Sequence, residues 1–180
     1  TKMGASIQRH NRVIDIKALP SGEWQVVTEK GNIVAEIVVN AAGCYARRIA
    51  QMVDRDLPIV NMQHHYIVTG PVEEFSERDE EIQVIRDPRA SSYLRQEQKS
   101  GLIGIYEQAN MTEAWAPSGL PPWESDSELF SDDLPRLMPW LEHAMERMPL
   151  FENAGIKRVV CGAIPHSSDG APLLGPVAGL

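Results

Sequence analysis

The stretch Ile59-Val60-Asn61-Met62-Gln63-His64-His65-Tyr66-Ile67-Val68-Thr69-Gly70 constrains the fold more than any other part of the chain. Its β-branched and aromatic residues read as one long strand, ended by Gly70-Pro71. Two of the five histidines sit side by side in mid-strand. Successive side chains on a strand point to opposite faces, so His64 and His65 occupy different environments. One can line a pocket while the other packs or faces water. The rest of the chain has to supply a sheet around this strand and polar groups that converge on that pocket.

Upstream, residues 5–40 read as three β segments. Ala5–Leu19 alternates loosely, Pro20-Ser21-Gly22-Glu23 turns, Trp24–Thr28 follows, Glu29-Lys30-Gly31-Asn32 turns again, and Ile33–Asn40 is the third and most apolar strand. Turns of this composition at this spacing make an antiparallel meander. Asn40-Ala41-Ala42-Gly43 leads into an amphipathic helix with Ala46, Ile49, Ala50 and Val53 on one face. A buried strand, a small-residue turn and a helix start can let a phosphate reach backbone N–H groups; the same residues also serve tight packing alone.

Downstream, Pro71–Glu81 reads as an acidic loop and Ile82–Arg86 as a short strand turned by Asp87-Pro88-Arg89. Ser91–Glu97 and Leu102–Glu107 form a hairpin around Gln98-Lys99-Ser100-Gly101, with Tyr93 and Arg95 on one face and Leu94 on the other. Residues 108–131 form a long connection, either functional or mobile, or else an ordered surface loop pinned to the core by its tryptophans. Asp132-Asp133 caps a helix with Leu134, Leu137, Met138, Leu141, Met145 and Met148 as its apolar residues. Pro139 calls for a kink or a fresh start there, and His143 falls on the exposed side. Ile156–Gly162 is the last strand, and the segment to Leu180 reads as loop.

At 43% apolar, 180 residues can build one domain with a real core or two smaller lobes. A net charge of -8 argues against nucleic acid or an anionic membrane as partner. No apolar run approaches the ~20 residues of a membrane span. Cys44 and Cys161 show no metal spacing, so no metal is expected and free thiols in a reducing compartment are the default. Thr1 starts inside structure-like sequence, which suggests that the natural start lies upstream.

Three blocks in order resemble the FAD-dependent amine oxidoreductases of the D-amino-acid oxidase superfamily, in particular its dimethylglycine and sarcosine dehydrogenase branch. They are Val38-Val39-Asn40-Ala41-Ala42-Gly43-Cys44-Tyr45-Ala46, Gln63-His64-His65-Tyr66-Ile67-Val68-Thr69 and Ser92-Tyr93-Leu94-Arg95-Gln96-Glu97. The tail from Gly162-Ala163-Ile164-Pro165 through Asp169-Gly170-Ala171-Pro172-Leu173-Leu174-Gly175-Pro176 resembles the superfamily's return to its flavin domain. The resemblance implies an α+β fold. Residues 1–57 would be part of an FAD-binding domain, a β-meander and one strand–helix unit. Residues 58–163 would be a substrate-binding domain, an antiparallel or mixed sheet flanked by helices. Residues 164–180 would return to the FAD-binding domain.

Departures from the family pattern are equally specific. The Gly-x-Gly-x-x-Gly start that holds the FAD pyrophosphate, the upstream histidine that carries covalent flavin and the folate-binding C-terminal domain are all missing from this sequence. The expectation is therefore an internal fragment, inactive alone, of an enzyme that oxidatively demethylates dimethylglycine or sarcosine in the cytoplasm or a mitochondrial matrix. Tetrahydrofolate and an electron-transfer flavoprotein are the partners implied, and the oligomeric state stays open. The resemblance matches the catalytic histidine to His64 and its companion tyrosine to Tyr93. Arg95, on the face of Tyr93, is a carboxylate clamp by its bidentate guanidinium. Ala41, Ala42, Gly43, Gly162, His166 and Gly170 fall in the matched cofactor-facing segments. Cys161 is one residue short of a flavin-linked cysteine found in some relatives, and reads as a buried thiol. The competing expectation is a non-catalytic relative that keeps the fold as a regulatory protein.

Overall fold

The computed structural model describes residues 2–108, 111–125, 127–177 and 179–180. Thr1, and residues 109, 110 and 126 of the long connection, lie outside the described residues. The chain divides into two compact units, one up to Ile59 and one from Val60 on.

In the first unit β1 (Val13–Ala18), β2 (Trp24–Thr28) and β3 (Gly31–Ala35) form an antiparallel meander in the order β1-β2-β3. The first turn closes where Leu19 N–H donates to the Glu23 carbonyl at 2.8 Å, with Gly22 at a φ of 87° that favours glycine. The expectation of a buried strand over 33–40 is corrected. β3 ends at Ala35, Ile33 and Val34 are half exposed, and Ile37 and Val39 are about four-fifths exposed. A strand needs a neighbour to bond, and Val38-Val39 has none among the described residues. A single 3-10 turn, Gly43–Tyr45, leads into the short helix α1 (Ala46–Gln51), whose Ala46 and Ala50 are buried.

The second unit is built on β4 (Ile59–Pro71), the strand expected from sequence. With β5 (Ile85–Asp87), β6 (Ser92–Glu97), β7 (Ser100–Ile105) and β8 (Ile156–Ser167) it forms one sheet in the order β5-β6-β7-β4-β8. The hairpin register pairs Tyr93 with Gly104 and Glu97 with Ser100, so the loop is only Gln98-Lys99. β4 lies antiparallel to β7, with Tyr66 opposite Gly104. Besides this shorter hairpin loop, three boundaries differ from the sequence reading. Within Pro71–Glu81 one helical turn, α2 (Glu73–Ser76), forms because it buries Phe75 edge-on against Phe151. The strand expected over 82–86 is confined to Ile85–Asp87, since only these residues meet β6. β8 continues past Gly162 to Ser167 beside β4.

One face of this sheet carries the core. Ile67, Leu94, Ile103 and Ile105 pack with Leu137, Leu141 and Ala144 of α3 (Leu134–Arg147). Each such side chain contributes about 1.5–3 kcal/mol by leaving water. Asp133 caps α3 by accepting from the Arg136 amide. The helix runs through Pro139 to Arg147, and the packed apolar stripe outweighs the one backbone bond that a proline forfeits. The long connection is pinned rather than loose. Ala114 and Pro121 are buried, Ala114 N–H donates to the Asn61 carbonyl, the Asn61 amide donates to the Gly119 carbonyl, and the Trp115 ring meets Phe130 edge-on. No described helix is long and apolar enough to cross a membrane.

Leu137 is fully buried and His143 exposed on the same helix. Leu137→Ala is expected to lower stability by about 2–5 kcal/mol, and His143→Ala by no more than about 0.5 kcal/mol, in denaturant unfolding.

Candidate active site

Alternation along β4 separates its two histidines. His65 lies in the phase of Ile67, on the core face, and its side chain is 0% exposed. His64 lies in the phase of Tyr66, on the opposite, open face, 12% exposed. The row across that face is Arg86 of β5, Tyr93 of β6, Gly104 of β7 and Tyr66 of β4, each paired with the next. Gly104 makes the row work. A Cβ there would overlap the Tyr93 ring, so the missing side chain lets the tyrosine lie across β7. One register step along, the Tyr106 ring lies 5.4 Å from His64 and 5.5 Å from Tyr93, with His64 and Tyr93 6.3 Å apart. The Arg86 guanidinium covers the Tyr106 ring at 5.0 Å.

The environment sets the protonation of both groups. Burial lowers the proton affinity of His64 below the ordinary histidine value, with His65 and His166 adding to the effect and Glu107 opposing it. The ring is therefore a neutral imidazole at neutral pH. Burial raises the Tyr93 hydroxyl, helped by Tyr106 and Tyr66 and opposed by Arg95, so it keeps its proton. His64 can accept a proton; Tyr93 can donate a hydrogen bond.

Behind them lies a carboxylate that the sequence reading missed. The Glu107 side chain is fully buried, with Arg136 Nη1 3.1 Å from Oε1, His65 Nδ1 3.6 Å from Oε1 and His64 Nδ1 4.0 Å from Oε2. Burial would raise its pKa, but His65, its own backbone amide, Arg136 and His64 together hold it below the usual carboxylate value. A signal was present: Glu107 shares the core phase of Ile103 and Ile105, where a charge needs a partner.

The other sequence candidates are placed as follows. Arg95 shares the open face with Tyr93, and its guanidinium pairs with Glu97 of the same strand. His166 lies on β8, not in a loop as expected, because β8 extends to Ser167; its Nδ1 is buried without a hydrogen-bond partner among the described residues. Gly162 is on the same strand, and Gly170 holds a φ of 73° in a turn closed by Ser167 and Asp169. In the first unit Ala41, Ala42 and Gly43 enter the 3-10 turn; Asn40 Oδ1 accepts from the Ala42 amide, and a Cβ on Gly43 would meet nothing within 4 Å. Cys161 is buried, donates to Gln63 Oε1 at 3.6 Å, and burial pushes its thiol up to about 11, which makes it inert. Among the described residues no cluster of His, Cys, Asp and Glu could hold a metal.

The whole chain, residues 1–180, matches the family described as "DAO: FAD dependent oxidoreductase". It is 38% identical over 182 residues to the mitochondrial dimethylglycine dehydrogenase of Mus musculus, covering 99% of this chain and 21% of that protein. It is 33% identical over 155 residues to the mitochondrial sarcosine dehydrogenase of the same organism, covering 83% of this chain and 15% of that protein. The chain thus spans about a fifth or less of the length of these relatives. Among solved structures, L-proline dehydrogenase from P. horikoshii superposes with a TM-score of 0.72 at 21% identity, covering 98% of this chain and 43% of that one. Glycine oxidase from Geobacillus kaustophilus gives 0.62 at 21% identity, covering 98% and 42%. These likenesses fix the fold class as α+β, with antiparallel sheets and few helices.

Acid should unfold this unit by two routes of the same sign. His64, with its folded pKa depressed, disfavours folding as pH falls from the ordinary histidine range through the folded value. The depressed Glu107 contributes stability above the ordinary carboxylate range that is lost as pH falls through its folded value. Urea midpoints are expected to fall first with the histidine and again with the carboxylate, and His64→Asn should remove the first loss.

Proposed function

The chain belongs to the DAO family of FAD dependent oxidoreductases, and from that membership we propose that the protein carrying it oxidatively demethylates an N-methylated glycine, dimethylglycine or sarcosine. The observation that carries the reading is the pairing of a neutral His64 with a protonated Tyr93 on one open, aromatic sheet face. FAD, when bound, supplies the two-electron acceptor for the C–H bond beside the amine nitrogen. The residues present fit such a group. A flat heterocycle with polar edges suits a face kept level by Gly104, and the buried His166 Nδ1, without a hydrogen-bond partner among the described residues, suits its edge. Gly162 and Gly170 of the same unit would serve as further backbone contacts.

His64 takes the proton that an N-methylated amino acid carries on its nitrogen at neutral pH, which leaves the nitrogen lone pair free. Tyr93 orients the substrate through its hydroxyl. For the carboxylate, Arg95 was the sequence candidate, and its tie to Glu97 makes Arg86 the stronger one. The Arg86 guanidinium stands over Tyr106 with no carboxylate partner among the described residues. Tetrahydrofolate as acceptor of the one-carbon unit and an electron-transfer flavoprotein as electron acceptor belong to the same proposal. Cys44 and Cys161 as thiols suit a cytoplasmic or matrix compartment.

The flavin-loaded protein should bleach anaerobically with dimethylglycine or sarcosine, and His64→Ala should slow that reduction about 100-fold. The limiting rate should rise with pH through one ionisation below the ordinary histidine value; a rise in the tyrosine range would make Tyr93 the base instead. Arg86→Lys should raise KM more than Arg95→Lys does. A protein that never bleaches with these amines would remove the enzyme reading.

A further inference from the structure

Glu107 has one oxygen more than its ion pair requires. Oε1 faces Arg136 at 3.1 Å, and Asp133 Oδ2 holds that guanidinium from the other side, 3.0 Å from Nε. Oε2 is buried, has no hydrogen-bond partner among the described residues and stands 4.0 Å from His64 Nδ1. The backbone explains how a core-face carboxylate approaches a histidine of the open face. The β4–β7 pairing extends as far as Tyr66 opposite Gly104, whereas Met62 bridges to Glu113 and Gln63 N–H donates to the Thr112 carbonyl. His64 and Glu107 lie in the interval between these two pairings.

Resting on the reading of His64 as proton acceptor, we propose that Glu107 is a positioning residue for the reaction. Acting through His64, it turns Nδ1 of the imidazole toward the buried carboxylate and leaves Nε2 for the substrate ammonium. When the substrate N–H bond breaks and the Nε2–H bond forms, the new imidazolium faces a fixed negative charge, and Glu107 itself gains no proton. His65, the Glu107 backbone amide and Arg136 together keep that carboxylate ionised in a place where burial would otherwise neutralise it. The other groups around His64 are His166 on β8, Tyr66 and Tyr93, and Tyr106 with Arg86 above it, while His65 acts on it from the opposite face of its own strand. Of the groups that act on the charge of His64, Glu107 favours the protonated ring, and His65 and His166 oppose it.

The test uses the flavin-loaded protein with labelled histidine, the His64 resonance being assigned by its loss in His64→Asn. Glu107→Gln keeps the shape and removes the charge. It should move the His64 titration to lower pH, move the low-pH limb of flavin reduction with it, and lower the plateau rate about 10-fold. Glu107→Asp should restore the titration while leaving the rate reduced. An unchanged His64 titration in folded Glu107→Gln overturns the proposal. Should Glu107→Gln not fold, Arg136→Gln decides: loss of that cation lets burial neutralise Glu107, so the His64 titration should move to lower pH as in Glu107→Gln, and no movement or a move to higher pH overturns the proposal. The underlying reading fails separately: His64→Asn would then leave flavin reduction unimpaired, whatever Glu107 does to the titration.

Discussion

Alternation along one strand governs the second unit. β4 turns Ile67 and His65 toward α3, and His64 and Tyr66 the other way. A one-residue slip would exchange those sets and drive polar rings into the core. Burial of Ile67, Leu94, Ile103 and Ile105 against Leu137 and Leu141 therefore does more than stabilise the sheet. It fixes the register, and the register decides which histidine faces the open side. Gly104 then lets Tyr93 lie flat across the sheet, close to that histidine and to Tyr106.

Electrostatics follows from the same packing. A carboxylate buried at Glu107 is tolerated because Arg136, fixed by its own Asp133, compensates the loss of water. The cost of desolvation falls differently on its neighbours. Burial keeps His64 neutral and Tyr93 protonated, so two groups of one cluster are ready as acceptor and donor. This division, set by environment rather than by residue type, is what the proposed oxidation of an amino acid would require of the protein beside a flavin.

Local patterns in the sequence were legible, and features that depend on partners far along the chain were not. The meander, β4, the hairpin, α3 and the cap at Asp133 follow from turn chemistry and apolar spacing within short windows. The strand expected at Val38-Val39 did not form, since a ladder needs a neighbour that apolarity alone cannot reveal. The extension of β8, which moves His166 from a loop into the sheet, depends likewise on β4 beside it. His64 and Tyr93 were found through the resemblance, and their shared face follows from period-2 alternation. Glu107 went unread although its phase with Ile103 and Ile105 marks it as buried. Arg136 could be known as its partner only once α3 was packed on the sheet.

The central claim is that the open face around His64 and Tyr93 is where an N-methylated glycine reacts. A crystal structure of the flavin-loaded protein with a thioether analogue of sarcosine tests this most directly. The analogue should lie on that face with its sulfur beside the His64 imidazole and its carboxylate turned toward an arginine. An analogue bound away from His64 and Tyr93, with the flavin in place, would contradict the account.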